Sequence, residues 1–155
     1  MPNQFRQVSL ITMKRKHIKL LRKDGKYGHW WFVIGDPDDP SSESYGWWPG
    51  TPDSLLGVKT TFGGVVGELN GQTHFPGTPT RDPHHADDAD EEFHPFVAAL
   101  DIRTDEQIAE CLRRFALSYN GEWRWTFGFG QNCRTFQKRA MAHCGLRKPI
   151  PKKWF

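Results

Sequence analysis

At 155 residues the chain is of single-domain size, and no apolar run in it nears the ~18 residues that a bilayer crossing needs. Twenty-one aromatic residues, seven of them Trp and eleven Phe, exclude disorder over most of its length. The net charge of +3 hides a split: residues 1–26 carry eight Lys or Arg against one acid, residues 134–155 seven against none, and residues 27–133 six against seventeen. Basic ends suit nucleic acid or a membrane surface, but no nucleic-acid motif accompanies them. The simpler expectation is that they pack beside the acidic middle, with no nucleic-acid partner and no membrane span.

Phe5–Thr12 reads as a short strand inside a basic N-terminal segment that runs to residue 26. Its first seventeen residues hold no apolar stretch of the secretory kind, so a protein made in the cytoplasm without a Sec signal is expected. Asp24-Gly25, between an apolar run and His29–Ile34, is a hairpin signal. His29–Ile34 is aromatic and β-branched and reads as a strand, and Glu43–Trp48 as another after a Pro/Asp loop. Gly57–Leu69 is strand-like, with GELNG (Gly67–Gly71) a tight turn. Residues 70–92 form a long polar loop, of a length that is functional or mobile in a small domain. Phe93–Ile102 reads as a strand. Thr104 with Gln107 three residues on is a capping box, and Ile108, Cys111, Leu112, Phe115 and Ala116 form one helical face up to Asn120-Gly121. Trp123, Trp125, Phe127 and Phe129 alternate as a half-buried strand does. Cys133–His143 reads as a second helix, with Asn132 a natural N-cap and Gly145 at C′. Strands, helix, strand, helix make an α+β domain spanning 1–155: a small antiparallel sheet packed with two main helices.

Three cysteines is an odd number, so at least one lies outside any intramolecular disulfide, and no CxxC pair suggests zinc. Cys111 and Cys144 fit small buried hydrophobes. Cys133 falls in the first turn of its helix, where unpaired N–H groups and the dipole stabilise a thiolate. A thiol nucleophile needs a base. Of seven histidines, His29 is the best placed, held rigidly at the start of a strong strand.

GHWWFVI, then ESYGWWP, then GFGQNCRTF at the head of a late helix, resembles the circularly permuted papain-like cysteine hydrolases. These include the lecithin:retinol acyltransferase-like, permuted NlpC-type and PPPDE groups. The resemblance implies a permuted papain-like fold, Cys133 as nucleophile and His29 as base. It also implies a third polar residue on the strand after the His, matched here by Glu43 or Tyr45, of which Glu43 is the better candidate; Glu68 is a weaker alternative. The second His common in the acyltransferase-like group is absent. Together with GELNG and DPHHADDADEEFHP, the same segments look like domains at the ends of bacterial polymorphic toxins and type VI secretion effectors. That implies delivery into a target cell and a cognate immunity protein. The expected chemistry is acyl transfer to water on a protein or peptide, or on a cell-wall peptide, with no cofactor. The backbone N–H of Cys133 and the side chain of Gln131 or Asn132 would meet the oxyanion, and Trp31, Tyr45 and Trp47 would line a substrate groove.

Two rivals belong to other classes. His84, His85, Asp87, Asp88, Asp90, Glu91, Glu92 and His94 could serve a metal-dependent hydrolase, although their spacing matches neither HExxH nor an EF-hand. Alternatively, the aromatic strands could form a non-catalytic binding module in which Cys133 is simply packed.

Overall fold

The computed structural model describes residues 4–17, 28–50, 64–73, 75–124 and 132–149. The stretch expected as one strand over 5–12 divides into β1 (Phe5–Gln7) and β2 (Ile11–His17), because the chain turns where Ile11 N–H reaches back 3.3 Å to the Val8 carbonyl. β2 runs antiparallel to β3 (Gly28–Ile34) along its whole length, from Ile11 opposite Ile34 to His17 opposite Gly28. This is the predicted hairpin; Asp24-Gly25 itself lies outside the described residues. β3 is flanked by β4 (Glu43–Tyr45) and β2 by β7 (Glu91–Phe93), giving the order β4-β3-β2-β7.

Glu43–Trp48, expected as a single strand, is broken at Gly46. β4 stays on β3, while β5 (Trp47–Pro49) joins a second antiparallel sheet with β6 (Val65–Leu69) and β9 (Glu122–Trp123). Asn70 causes the break: its Oδ1 accepts the Gly46 N–H at 3.0 Å, and its own N–H donates to the Gly46 carbonyl at 2.9 Å, so the backbone of Gly46 pairs with Asn70 and not with β3. Phe93–Ile102 is likewise not one strand. Phe93 ends β7, β8 (Phe96–Ala98) pairs with β1, and Ala98–Asp101 turns, leaving Leu100 and Ile102 exposed. Trp125, Phe127 and Phe129 lie outside the described residues. Among the described residues the expected single sheet is therefore three small ones, all antiparallel, in a mixed α+β fold with two helices.

α1 (Asp105–Ser118) begins at the predicted capping box, Thr104 Oγ1 accepting the Gln107 N–H and Gln107 Oε1 accepting the Thr104 N–H. α2 (Cys133–His143) begins at Asn132, whose Oδ1 accepts from the N–H groups of Arg134 and Thr135, and ends before Gly145 at φ +70°, a conformation that favours glycine. Phe136 of α2 lies at the centre of the core: its ring centroid is 5.9 Å from Phe32, 6.0 Å from Trp47, 5.7 Å from Phe115 and 4.9 Å from Tyr119. Gln137, also buried, donates through Nε2 to the carbonyls of Trp31 at 2.9 Å and Lys14 at 3.2 Å, fixing the register of α2 on the β2–β3 hairpin. Cys111 of α1 and Cys144 after α2 are joined by a disulfide with Cα atoms 5.9 Å apart, where the sequence suggested two buried thiols. The apolar face that placed Cys111 in the core also brought it to Cys144.

Side chains alternate across β3. Phe32 and Ile34 face the helices and join the core cluster. His29 and Trp31 occupy the other face, under the segment 82–87, where Lys14 spans the Trp31 ring and donates to the Asp87 carbonyl at 3.0 Å.

Candidate active site

β4 pairs with Phe32–Ile34 of β3, so among the described residues no strand covers that side of β3 at its His29 end. Three groups converge there. Asp82 arrives from the long polar loop, and its carboxylate accepts the His29 Nε2–H at 2.8 Å from Oδ2 and 2.9 Å from Oδ1. Cys133 arrives at the start of α2, and its thiol interacts with the His29 ring as a hydrogen-bonding and charge partner. With Nε2 committed to Asp82, Nδ1 is the ring nitrogen available for proton exchange with sulfur. All three residues are buried: His29 is 4%, Asp82 2% and Cys133 7% exposed.

Asp82 is held firmly. Trp48 Nε1–H donates to Oδ2 at 2.7 Å, the backbone N–H of His84 donates to Oδ1 at 2.9 Å, and the Asp82 N–H donates to Ser44 Oγ at 2.8 Å. Ser44 in turn contacts His85 Nδ1 at 2.7 Å, and His85 Nε2 contacts the Asp39 carbonyl at 2.9 Å, anchoring the loop from behind. The His29 ring lies among Trp31, Trp48 and His84, with centroids 5.4, 4.4 and 5.0 Å away.

Electrostatics follow from this enclosure. Burial by itself opposes a charged imidazole, but the Asp82 carboxylate, its hydrogen bond and the Cys133 contact outweigh it and raise the His29 pKa to about 10. Burial likewise opposes the Asp82 charge, but His29, Trp48 and the His84 N–H hold its carboxyl below the usual range. The ring is therefore an imidazolium, flanked by a carboxylate on one side and a thiol at a helix start on the other. Those are the groups that stabilise a sulfur anion.

His29 and Cys133 are thus brought together as the sequence suggested, and Glu43 is not part of that group. Its carboxylate is taken by Arg113, through Nε at 2.9 and 3.0 Å and through Nη2, and by the Tyr45 hydroxyl. Burial opposes the Glu43 charge but Arg113 overrides it, keeping the carboxyl below its ordinary value. Glu68 accepts from Thr73 and closes the turn after β6. Trp31, Tyr45 and Trp47 are core residues, at most 2% exposed, and do not line a groove. The half-buried Trp48 borders the site, its indole against the His29 ring and its N–H on Asp82, while Trp30 turns to Arg134 on the other face of β3. Asn132 uses Oδ1 as a helix cap; Gln131 lies outside the described residues.

The residue missed was Asp82, two positions before the histidine cluster that drew attention to this loop. Its signal was present as an Asp-Pro turn leading into His84-His85. Five members of the cluster serve structure. His84 Nδ1 meets Asp87 Oδ2 at 2.6 Å, His94 Nδ1 meets the Ile11 carbonyl at 2.8 Å, both His85 nitrogens are taken, and Asp87 and Glu91 pair with Lys16 and Arg15. Among the described residues no group of three His, Cys, Asp or Glu could hold a metal ion, and no helix is long and apolar enough to cross a membrane. No protein-family model, curated protein or solved structure matches this chain.

Proposed function

We propose that this protein is a cysteine hydrolase, a peptidase or amidase of permuted papain-like type, in which Cys133 is the nucleophile, His29 the base and acid, and Asp82 the residue that orients and charges His29. The observation that carries this reading is a single imidazole held between a buried carboxylate at 2.8 Å and a helix-start thiol. Its logic is that of a nucleophile, a base and an orienting acid.

In this mechanism the second imidazolium proton of His29, on Nδ1, is the one Cys133 has given up, so the reactive form is the thiolate–imidazolium pair, and the thiolate adds to the carbonyl carbon of an amide. The backbone N–H of Cys133, at the first position of α2, is the donor the new oxyanion would meet. The imidazolium then protonates the leaving amine as the C–N bond breaks, leaving a thioester. Water, deprotonated by His29, attacks the thioester and releases a carboxylic acid and the thiol. No cofactor takes part.

The toxin-like segments and the Cys111–Cys144 disulfide support a site of action in an oxidising compartment, with delivery to a neighbouring cell and a cognate immunity protein in the producer. Expression in the bacterial periplasm is expected to impair growth, and Cys133→Ala or His29→Ala to abolish that effect. A Cys133→Ala protein that folds and remains fully toxic would refute the reading.

A further inference from the structure

The charge split seen in the sequence is only half resolved by the fold. At the N-terminal end, basic β2 lies beside acidic β7, where Arg15 pairs with Glu91 and Lys16 with Asp87. At the C-terminal end, no ion pair among the described residues involves Arg134, Lys138 or Lys148. Instead, these three share one place. Arg134 and Lys148 lie 5.9 and 5.8 Å from the Trp30 ring, which Arg15 also approaches at 5.3 Å. Lys138 is close enough to Arg134 and Lys148 that their charges, Arg134 first, depress its own ionisation. Cations crowd in this way against their mutual repulsion, with the Trp30 ring as partner to Arg134 and Lys148.

The location is specific. Trp30 follows His29 in β3, and Arg134 follows Cys133 in α2. The residue after the base and the residue after the nucleophile therefore meet on the α2 side of β3, opposite the His29 ring, and the cluster adjoins the site through the first turn of α2, where Arg134 directly follows Cys133.

We propose that Arg134 and Lys148 over Trp30, with Lys138 beside them, form the subsite that selects a substrate carrying an anionic group, a carboxylate, on the α2 side of the bond cleaved. This rests on Cys133 being the reactive thiol. The cluster raises the local concentration of an anion and orients it, and the half-buried indole gives its apolar part a surface.

Alkylation reads this directly, because with Cys111 and Cys144 in a disulfide the remaining thiol is that of Cys133. Sγ displaces iodide from iodoacetate, an anion, or from iodoacetamide, its neutral analogue. The measured quantity is the ratio of the two rate constants at low salt, with the site of labelling confirmed by peptide mass. The ratio is expected to fall about twofold to threefold for each of Lys138→Gln, Lys148→Gln and Arg134→Gln, to fall further in the triple variant, and to fall in wild type as salt is added. Arg114→Gln, on an exposed part of α1, serves as the control that leaves the ratio in place. If both reagents label Cys133 but the ratio ignores these substitutions and salt, the anionic subsite is refuted while the thiol reading stands. If neither reagent labels Cys133 in folded protein, the thiol reading fails and the subsite falls with it.

Discussion

Gly46 lies where a β-carbon would come 2.2 Å from Asp82 Oδ2 and 3.1 Å from the His29 ring. Gly46→Ala must therefore displace the acid or the base. A shift of about 1 Å at such a centre can lower the rate roughly 100-fold, so kcat is expected to fall by that order while circular dichroism stays near wild type. Asp82→Asn tests the charge separately, because the amide keeps a similar shape but no longer favours the imidazolium. Activity that depends on the ion pair should extend toward pH about 10 in the wild type, and its alkaline limb should move to lower pH in Asp82→Asn. A merely structural Asp82 would lower kcat without moving that limb. Stability is linked to the same pair. The His29 contribution is complete below its ordinary value of 6.5 and is lost as pH rises toward about 10. The Asp82 contribution is present above its ordinary value of 3.8 and is lost as pH falls through the lower, folded-state value. Glu43→Gln removes the charge opposite Arg113 at a partly exposed pair. It is expected to lower stability by up to about 1 kcal/mol in urea unfolding and to leave the alkaline limb unmoved.

At the scale of elements, Asn132 is a cap before it is anything else. Asn132→Ala should lower stability by about 1 kcal/mol in urea unfolding, and Asn132→Ser or Asn132→Asp should recover most of it. Both helices were legible in the sequence because their start signals are local: Thr104 with Gln107, and Asn132 ahead of Phe136, Ala140 and Met141. β3 was legible for the same reason, in its own aromatic and β-branched residues. The division of ESYGWW was not, because the residue that imposes it, Asn70, lies twenty-four positions away and acts only once the chain has folded back. The same distinction governs the site. His29 and Cys133 were found from local setting, a strand start and a helix start. Glu43 was favoured over Tyr45 because the family resemblance puts the third polar residue on the strand after the His, yet the sheet carries Glu43 to Arg113 on α1, and Asp82 comes to His29 from a loop fifty-three positions on. The aromatic pairs misled in one respect: the buried member of each, Trp31 and Trp47, was assigned to a groove, whereas it is the half-buried Trp48 whose indole N–H holds Asp82 beside His29.

Across the whole molecule, the Cys111–Cys144 bond closes a loop over a sequence separation of 33 and fastens α2 at the end opposite its nucleophile. A loop of that size is worth about 3–4 kcal/mol in the chain-entropy account. Paired Cys111→Ala and Cys144→Ala substitutions are therefore expected to lower Tm by roughly 10 °C, as calorimetry would show, without removing any reacting group. The arrangement of the reacting groups along the chain has a kinetic side as well. Fifty-three residues separate His29 from Asp82, and a comparable length separates Asp82 from Cys133. No strand pair or helix among the described residues holds two of them, and closing both long loops is expected to place their encounter late on the folding path. On the proposed hydrolase reading, a nascent or threaded chain thus carries every reacting side chain and no catalyst. In refolding from urea, activity should return with the slowest phase, after helical signal has recovered. On the proposed toxin reading, that delay gives a producing cell an interval in which the protein is harmless.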